Sequence, residues 1–188
     1  MSDRRRLIVE AALRVIARDG VTAATHRAVA GEAGVALAST TYHFSSKGEI
    51  VAEALELAID RSIAAVERCT APPHPTNRAA LVDRLVELVN ALCADDQAPL
   101  AAQYELLIEA GRSPQLRRLA ARWDGAYLGG LQAIVAAAGI REPDQAAQIL
   151  SDLIEGALLE HVTAAQDGLV ESTLRPRIAR VVAGLAAT

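Results

Sequence analysis

The side chains best suited to chemistry fall between residues 25 and 47. Thr25, His26 and Arg27 are followed by Leu37, Ala38, Ser39, Thr40, Thr41, Tyr42 and His43, and then by Lys47. No plausible nucleophile-base pair is visible in this set. Its guanidinium, hydroxyl, imidazole and ammonium groups suit contact with phosphate oxygens and base edges. Arg27 can offer guanine a bidentate pair, a contact worth about 1–3 kcal/mol of discrimination when well made; a solvated helix arginine is the alternative. Leu37 to Thr41 form a short, mostly uncharged face, whose hydroxyls serve bases or phosphates and whose small apolar groups suit a thymine methyl. Thr25, Tyr42, His43 and Lys47 fit phosphate contacts, which set register without reading sequence. For His43 a buried ring satisfied by backbone is the competing reading. Lys47 is the sole lysine, every other cationic chain being Arg. It stands where a helix begins, and free backbone N–H groups there also favour an anion.

Other chemistries find little support. The four His are scattered, with no HExxH and no phosphate loop, so an enzyme is not expected. Cys69 and Cys93 are isolated, which predicts two reduced thiols rather than a disulfide framework or a zinc site. No cofactor and no metal are implied. The net charge of −4 over 188 residues speaks against a nonspecific nucleic-acid coat. It hides an asymmetry, because Lys and Arg outnumber Asp and Glu in the first fifty residues and the balance reverses afterwards. A basic head on an acidic body suits a protein that meets phosphate at one end. Arg4-Arg5-Arg6 ahead of an apolar stretch imitates a signal peptide, but Glu10, Arg14 and Arg18 interrupt that stretch at helical spacing. The longest apolar run elsewhere, Ala133 to Ala138, is far short of the roughly 20 residues a membrane span needs. A cytoplasmic protein with no membrane partner is expected.

These side chains must be positioned by helices. Hydrophobic residues make up 52% of the chain and aromatics only 3%, so the apolar content is Ala, Leu, Val and Ile, with no strand-like alternation. The prediction is an all-α protein. Ser2 or Asp3 caps a first helix whose stripe is Leu7, Ile8, Ala11, Ala12, Val15 and Ile16, and Gly20 stops it. Thr25 caps a short second helix with Val29, Ala30 and Ala33 inward. Gly34 turns the chain, Val35 returns to the core, and a third helix runs from about Leu37 to His43, ending on a buried Phe44. Ser46 and Glu49 match a capping box for a long helix reaching about Cys69. Ala71-Pro72-Pro73-His74-Pro75 breaks it. Later helices are bounded by Asn77, by Asp96 and Pro99, by Ser113 and Pro114, and by Gly139. Pro143 opens a helix to about Gln166. The last helix ends near Ala186, with Pro176 in its first turn or kinking it.

Two short helices joined by a glycine turn and packed on a preceding helix make a helix-turn-helix, whose second helix enters a major groove about 12 Å wide. The whole run from residue 25 to 50, THRAVAGEAGVALASTTYHFSSKGEI, resembles the DNA-binding segment of the TetR family of regulators. Thr25, Arg27, Val29-Ala30, Gly34-Val35, Ala38, Tyr42-His43-Phe44 and Lys47 carry the likeness. Ala36 stands where that family often has Ser, Ala38 where it has Gly, and Thr41 where it has Tyr. These departures bear on which operator is read and remove one cap from the recognition helix. The resemblance implies a helix-turn-helix domain over residues 1–46 and a helical ligand-binding and dimerisation domain over 47–188. It also implies a homodimer on a pseudo-palindromic duplex, by default a repressor released by a small lipophilic effector, with activation and corepression as the alternatives.

For the body the residues give partial support. Ile149, Leu150, Leu153, Ile154, Ala157, Leu158 and Val162 leave an apolar stripe, echoed by Ile178, Val181, Val182 and Leu185, with Gly156 and Ala157 allowing close approach of another helix. Ile149, Leu153, Gly156, Ala157, Ile178, Val181 and Val182 are therefore expected in a four-helix dimer interface; an intramolecular core is the alternative. Tyr104, Trp123, Tyr127 and His161 are scarce polar-tipped groups among Ala-rich helices and are the expected pocket residues, with plain packing or exposure as the other reading. Glu105 and Glu109 share a helix face, either solvated or drawing a cation. Two further classes stay open: a helical enzyme, and an architectural protein binding DNA without sequence preference, which specific and nonspecific affinities at one salt concentration would separate.

Overall fold

A computed structural model of the chain describes residues 3–93, 98–111, 113–164 and 170–185. Among the described residues all regular structure is helical. In chain order the α-helices are α1 (Asp3–Asp19), α2 (His26–Ala33), α3 (Leu37–His43), α4 (Lys47–Thr70), α5 (Arg78–Cys93), α6 (Ala98–Ala110), α7 (Pro114–Ala137), α8 (Pro143–Ala164) and α9 (Arg175–Gly184). A 3₁₀ turn at Val21–Ala23 follows α1, and a π-helical stretch at Val170–Leu174 runs into α9. Pro176 lies in the first turn of α9, a position that suits proline's fixed φ. The expected boundaries at Ser2, Asp96, Gln166 and Ala186 lie outside the described residues.

The chain forms two compact units, one of Met1–Ser62 with Asp95–Ala121 and the other of Ile63–Ala94 with Arg122–Thr188. In the first, α1 packs against α2, against the 3₁₀ turn and against α6, while α2 packs against α3. The face that α1 buries is wider than its expected stripe: Val9 and Leu13 join Ile8, Ala11, Ala12, Val15 and Ile16, whereas Leu7 is 38% exposed. A helix covered from several directions buries more than one a/d-like seam. The segment beyond residue 94 supplies α6 to this unit. Compactness therefore does not follow the division at residue 46 that the sequence suggested.

In the second unit α5 packs against α8, α9 and the π-helical stretch, and α8 against α9. Asn77 caps α5, its Oδ1 accepting from Ala80 N at 3.0 Å. Arg84 closes the proline corner by donating to the carbonyls of Cys69, Ala71 and Pro73 at 2.8, 3.2 and 3.2 Å. The close helix crossing of this unit is at Gly130, where a Cβ would stand 2.9–3.0 Å from Thr70 and Val66 side-chain atoms. Gly156, expected to serve such an approach, has nothing within 4 Å of its notional Cβ inside the protomer.

Candidate nucleic-acid interface

The reading head is assembled by local signals. Thr25 has extended dihedrals and its Oγ1 accepts from Ala28 N at 3.2 Å, so it caps α2. Gly34 ends that helix in the left-handed conformation at φ 64°, and its N–H reaches the carbonyls of Ala30 and Gly31. Ala36 occupies the cap position of α3 with extended dihedrals and no side-chain bond. Val29, Ala30 and Phe44 are buried, and α2 packs against both α1 and α3.

This packing sorts the predicted contact residues. Arg27, Leu37, Ala38, Thr41 and Tyr42 are exposed, Tyr42 to 85%, and Thr25 is exposed beside them. Ser39, His26, His43 and Lys47 are half-buried. Thr40 is the exception and corrects the sequence reading: it is fully buried, donates to the Leu37 carbonyl at 2.8 Å and lies 3.2 Å from His26 Nδ1. Its hydroxyl joins α3 to α2 and is withdrawn from the surface. Thr41, by contrast, turns its hydroxyl to the Ala38 carbonyl at 3.2 Å and stays at the surface. The His43 ring meets Tyr42 edge-on with centroids 5.1 Å apart.

Sequence reasoning passed over the residue that fixes the end of the recognition helix. Arg5 donates to the His43 carbonyl, to Glu49 Oε1 at 2.9 Å and to both carboxylate oxygens of Glu53, and its guanidinium stacks 4.2 Å from the centroid of Phe44. One side chain thus ties α1 to the last residue of α3 and the first turns of α4. Glu49 and Glu53, one helical turn apart on α4, were the available signal, since paired carboxylates on one face ask for a cation. The capping box forms in altered shape. Ser46 Oγ accepts from Glu49 N at 3.2 Å, but Glu49 reaches past Ser46 to the backbone N–H and hydroxyl of Ser45, both at 2.8 Å. These Ser45 donors, and then Arg5, hold the Glu49 carboxyl down at about 2. Glu32 is lowered in the same way by Arg14 and Arg18, which bind it from α1 at 2.8 and 3.0 Å. Lys47 donates to the Thr22 carbonyl at 2.5 Å.

The residues expected for the body separate. Trp123 and Tyr127 are buried and stacked, with centroids 4.9 Å apart and planes 12° from parallel. His161 is half-buried on α8 in the same unit, while Tyr104 lies on α6 in the first unit. Of the expected dimer residues, Ala157, Ile178 and Val182 are buried within the protomer, because α8 and α9 use those positions to pack on each other and on α5. Those three contribute to the protomer's own core. Ile149 is 40% exposed, Leu153 and Val181 are half-buried, and Gly156 is exposed, as is Leu159.

Comparison with known proteins agrees with this geometry. The family model for bacterial regulatory proteins of the tetR family matches residues 8–66, and the tetracyclin repressor-like C-terminal domain matches residues 76–188. The nicotine-responsive transcriptional repressor HdnoR of Paenarthrobacter nicotinovorans is 32% identical over 112 residues, which are 60% of this chain and 57% of that protein's length. The transcriptional regulator BetI of Agrobacterium fabrum is 30% identical over 169 residues, covering 84% of this chain and 76% of BetI. A transcriptional regulator from Saccharomonospora viridis, solved in complex with choline, superposes with a TM-score of 0.77 at 26% identity over 97% of both chains. With matching models over both segments and a helix-turn-helix built as described, the chain belongs to the TetR family of regulatory proteins.

Proposed function

We propose that the protein is a sequence-specific transcriptional repressor that binds a pseudo-palindromic operator as a homodimer and leaves it when a small organic effector binds the helical body. The observation that carries this reading is the outward face of α3 with its flanks. Arg27, Leu37, Ala38, Thr41 and Tyr42 are exposed together, while Val29, Ala30, Thr40 and Phe44 pin the same helices from behind. A surface that offers small, hydroxyl and aromatic groups on a short helix, with Thr25 and Lys47 at its edges, suits base edges in the groove and phosphates beside it. The reading work belongs to residues 1–46 and the regulatory work to residues 47–188, even though α6 packs with the head. Trp123, Tyr127 and His161, which lie in one compact unit, are the side chains assigned to effector contact. That HdnoR is nicotine-responsive and that the Saccharomonospora viridis regulator holds choline supports a small organic molecule as the signal. No helix of the described residues is long and apolar enough to cross a membrane, and we place the protein in the cytoplasm with its operator.

The effector acts by population shift: it must bind the operator-incompetent spacing of the two heads more tightly than the competent one. The deciding experiment selects bound sequences from a random duplex pool and titrates the winner by anisotropy at fixed salt. Enrichment of a two-fold site bound at least about 10³-fold tighter than scrambled DNA supports the reading. Equal affinity for all duplexes makes the protein an architectural binder instead.

A further inference from the structure

The 3₁₀ turn at Val21–Ala23 is held from two sides by residues far apart in sequence. From α6, Glu105 Oε2 accepts from the Val21 N–H at 3.4 Å, and both carboxylate oxygens lie near Gly20. From the start of α4, Lys47 Nζ donates to the Thr22 carbonyl at 2.5 Å. All of these residues lie in one compact unit, in which α6 and the turn both pack against α1. Gly20 enters the turn at φ 81°, a conformation that glycine adopts without the strain a side chain would bring. We propose that Glu105 is a positioning residue for the Lys47–phosphate contact, acting on it through this turn; the proposal rests on the reading of the head as an operator-binding surface. An ammonium has three N–H donors. The Thr22 carbonyl takes one and fixes where the ammonium stands, leaving two for a phosphate oxygen. Glu105 in turn fixes where the Thr22 carbonyl stands. Because α6 falls within the segment matched by the C-terminal domain model, a displacement of α6 reaches a phosphate contact through a single turn.

The test compares E105A, E105Q, K47A and the E105A/K47A double variant of the full-length protein on the selected operator, titrated across a salt series, with thermal melting of each. E105A is expected to weaken operator binding by about 3- to 10-fold near physiological salt and to reduce the salt slope by about one, the signature of one lost phosphate contact. E105Q keeps an amide oxygen able to accept from Val21 and should restore the wild-type slope. The double variant should bind no more weakly than K47A alone. Should E105A melt far below the wild type, V21P breaks the same bond from the turn's side, and the same loss of slope is expected. The inference is overturned if the salt slope is unchanged in E105A, or if the E105A and K47A losses multiply in the double variant. Those results leave the operator reading standing. A wild type that selects no operator removes both.

Discussion

Arg5 shows how much of a surface helix can depend on one side chain of a neighbouring helix. Its guanidinium donates hydrogen bonds to one carbonyl at the end of α3 and to two carboxylates on α4. Removing it leaves Glu49 and Glu53 as neighbouring negative charges and frees the His43 carbonyl. The side chain is 26% exposed, so solvent screens part of this interaction. We expect R5A to lower unfolding free energy by about 1–2 kcal/mol in urea titration, and to weaken operator binding more than R5K, which keeps the charge but not the fork. Glu49 gives the same network a pH signature. Its folded carboxyl titrates at about 2, well below an unfolded glutamate. The contribution is therefore complete above the unfolded value and is lost as pH falls through the folded one. Stability of the wild type should drop steadily between about pH 4.5 and pH 2, and E49Q should flatten that limb in melts taken across the range. An equal slope in both proteins would show that other carboxylates govern acid unfolding.

Among elements, the recognition helix α3 is the least self-sufficient. It spans seven residues and Ala36 offers its start no side-chain acceptor. The cap dihedrals, φ −64° and ψ 143°, already suit serine. A36S should therefore raise stability by about 0.5–1 kcal/mol, read from the denaturation midpoint at unchanged slope. A stiffer α3 should also tighten operator binding unless the new hydroxyl meets a base edge, and an unshifted midpoint would show that the cap is satisfied another way. Gly130 is the opposite case, an element contact that tolerates no addition. A Cβ there would stand 3.0 Å or less from branched side chains of Val66 and Thr70, so G130A should cost about 1–3 kcal/mol despite the better helix propensity of alanine. What the sequence disclosed at this scale follows from locality. The caps at Thr25 and Asn77 and the glycine stops at Gly20 and Gly34 are written within a few residues, and so were legible. The orientation of Thr40 is not local, since on so short a helix the buried side is chosen by His26 and the α2 surface. The closeness at Gly130 and the packing of α6 on α1 join segments separated by dozens of residues, and no periodicity within either segment announces them.

For the whole molecule the proposed homodimer would need a surface that pairs two chains, and burial separates two roles that hydropathy cannot. Ala157, Ile178 and Val182 are apolar and buried in the protomer, whereas Ile149 and Leu159 are apolar and 40% and 46% exposed. An apolar stripe reads the same in sequence whether it faces its own core or a second copy, which is why these residues were grouped together. They should part on mutation. I178A should cost about 2–5 kcal/mol of protomer stability. G156R should not, because Gly156 is exposed, nothing lies within 4 Å of its notional Cβ, and arginine is the better helix former. If α8 pairs with a second copy across this face, a guanidinium at 156 must be buried in that interface without a partner, which disfavours association strongly. The expected result is a monomer by sedimentation whose melting no longer depends on protein concentration. Its helix-turn-helix should be intact, giving weak half-site binding in place of the tight two-fold complex. A dimer that survives G156R with wild-type operator affinity would move the pairing surface off this face of α8. The concentration dependence of operator binding in I149D would then show whether the neighbouring exposed residues take any part in pairing.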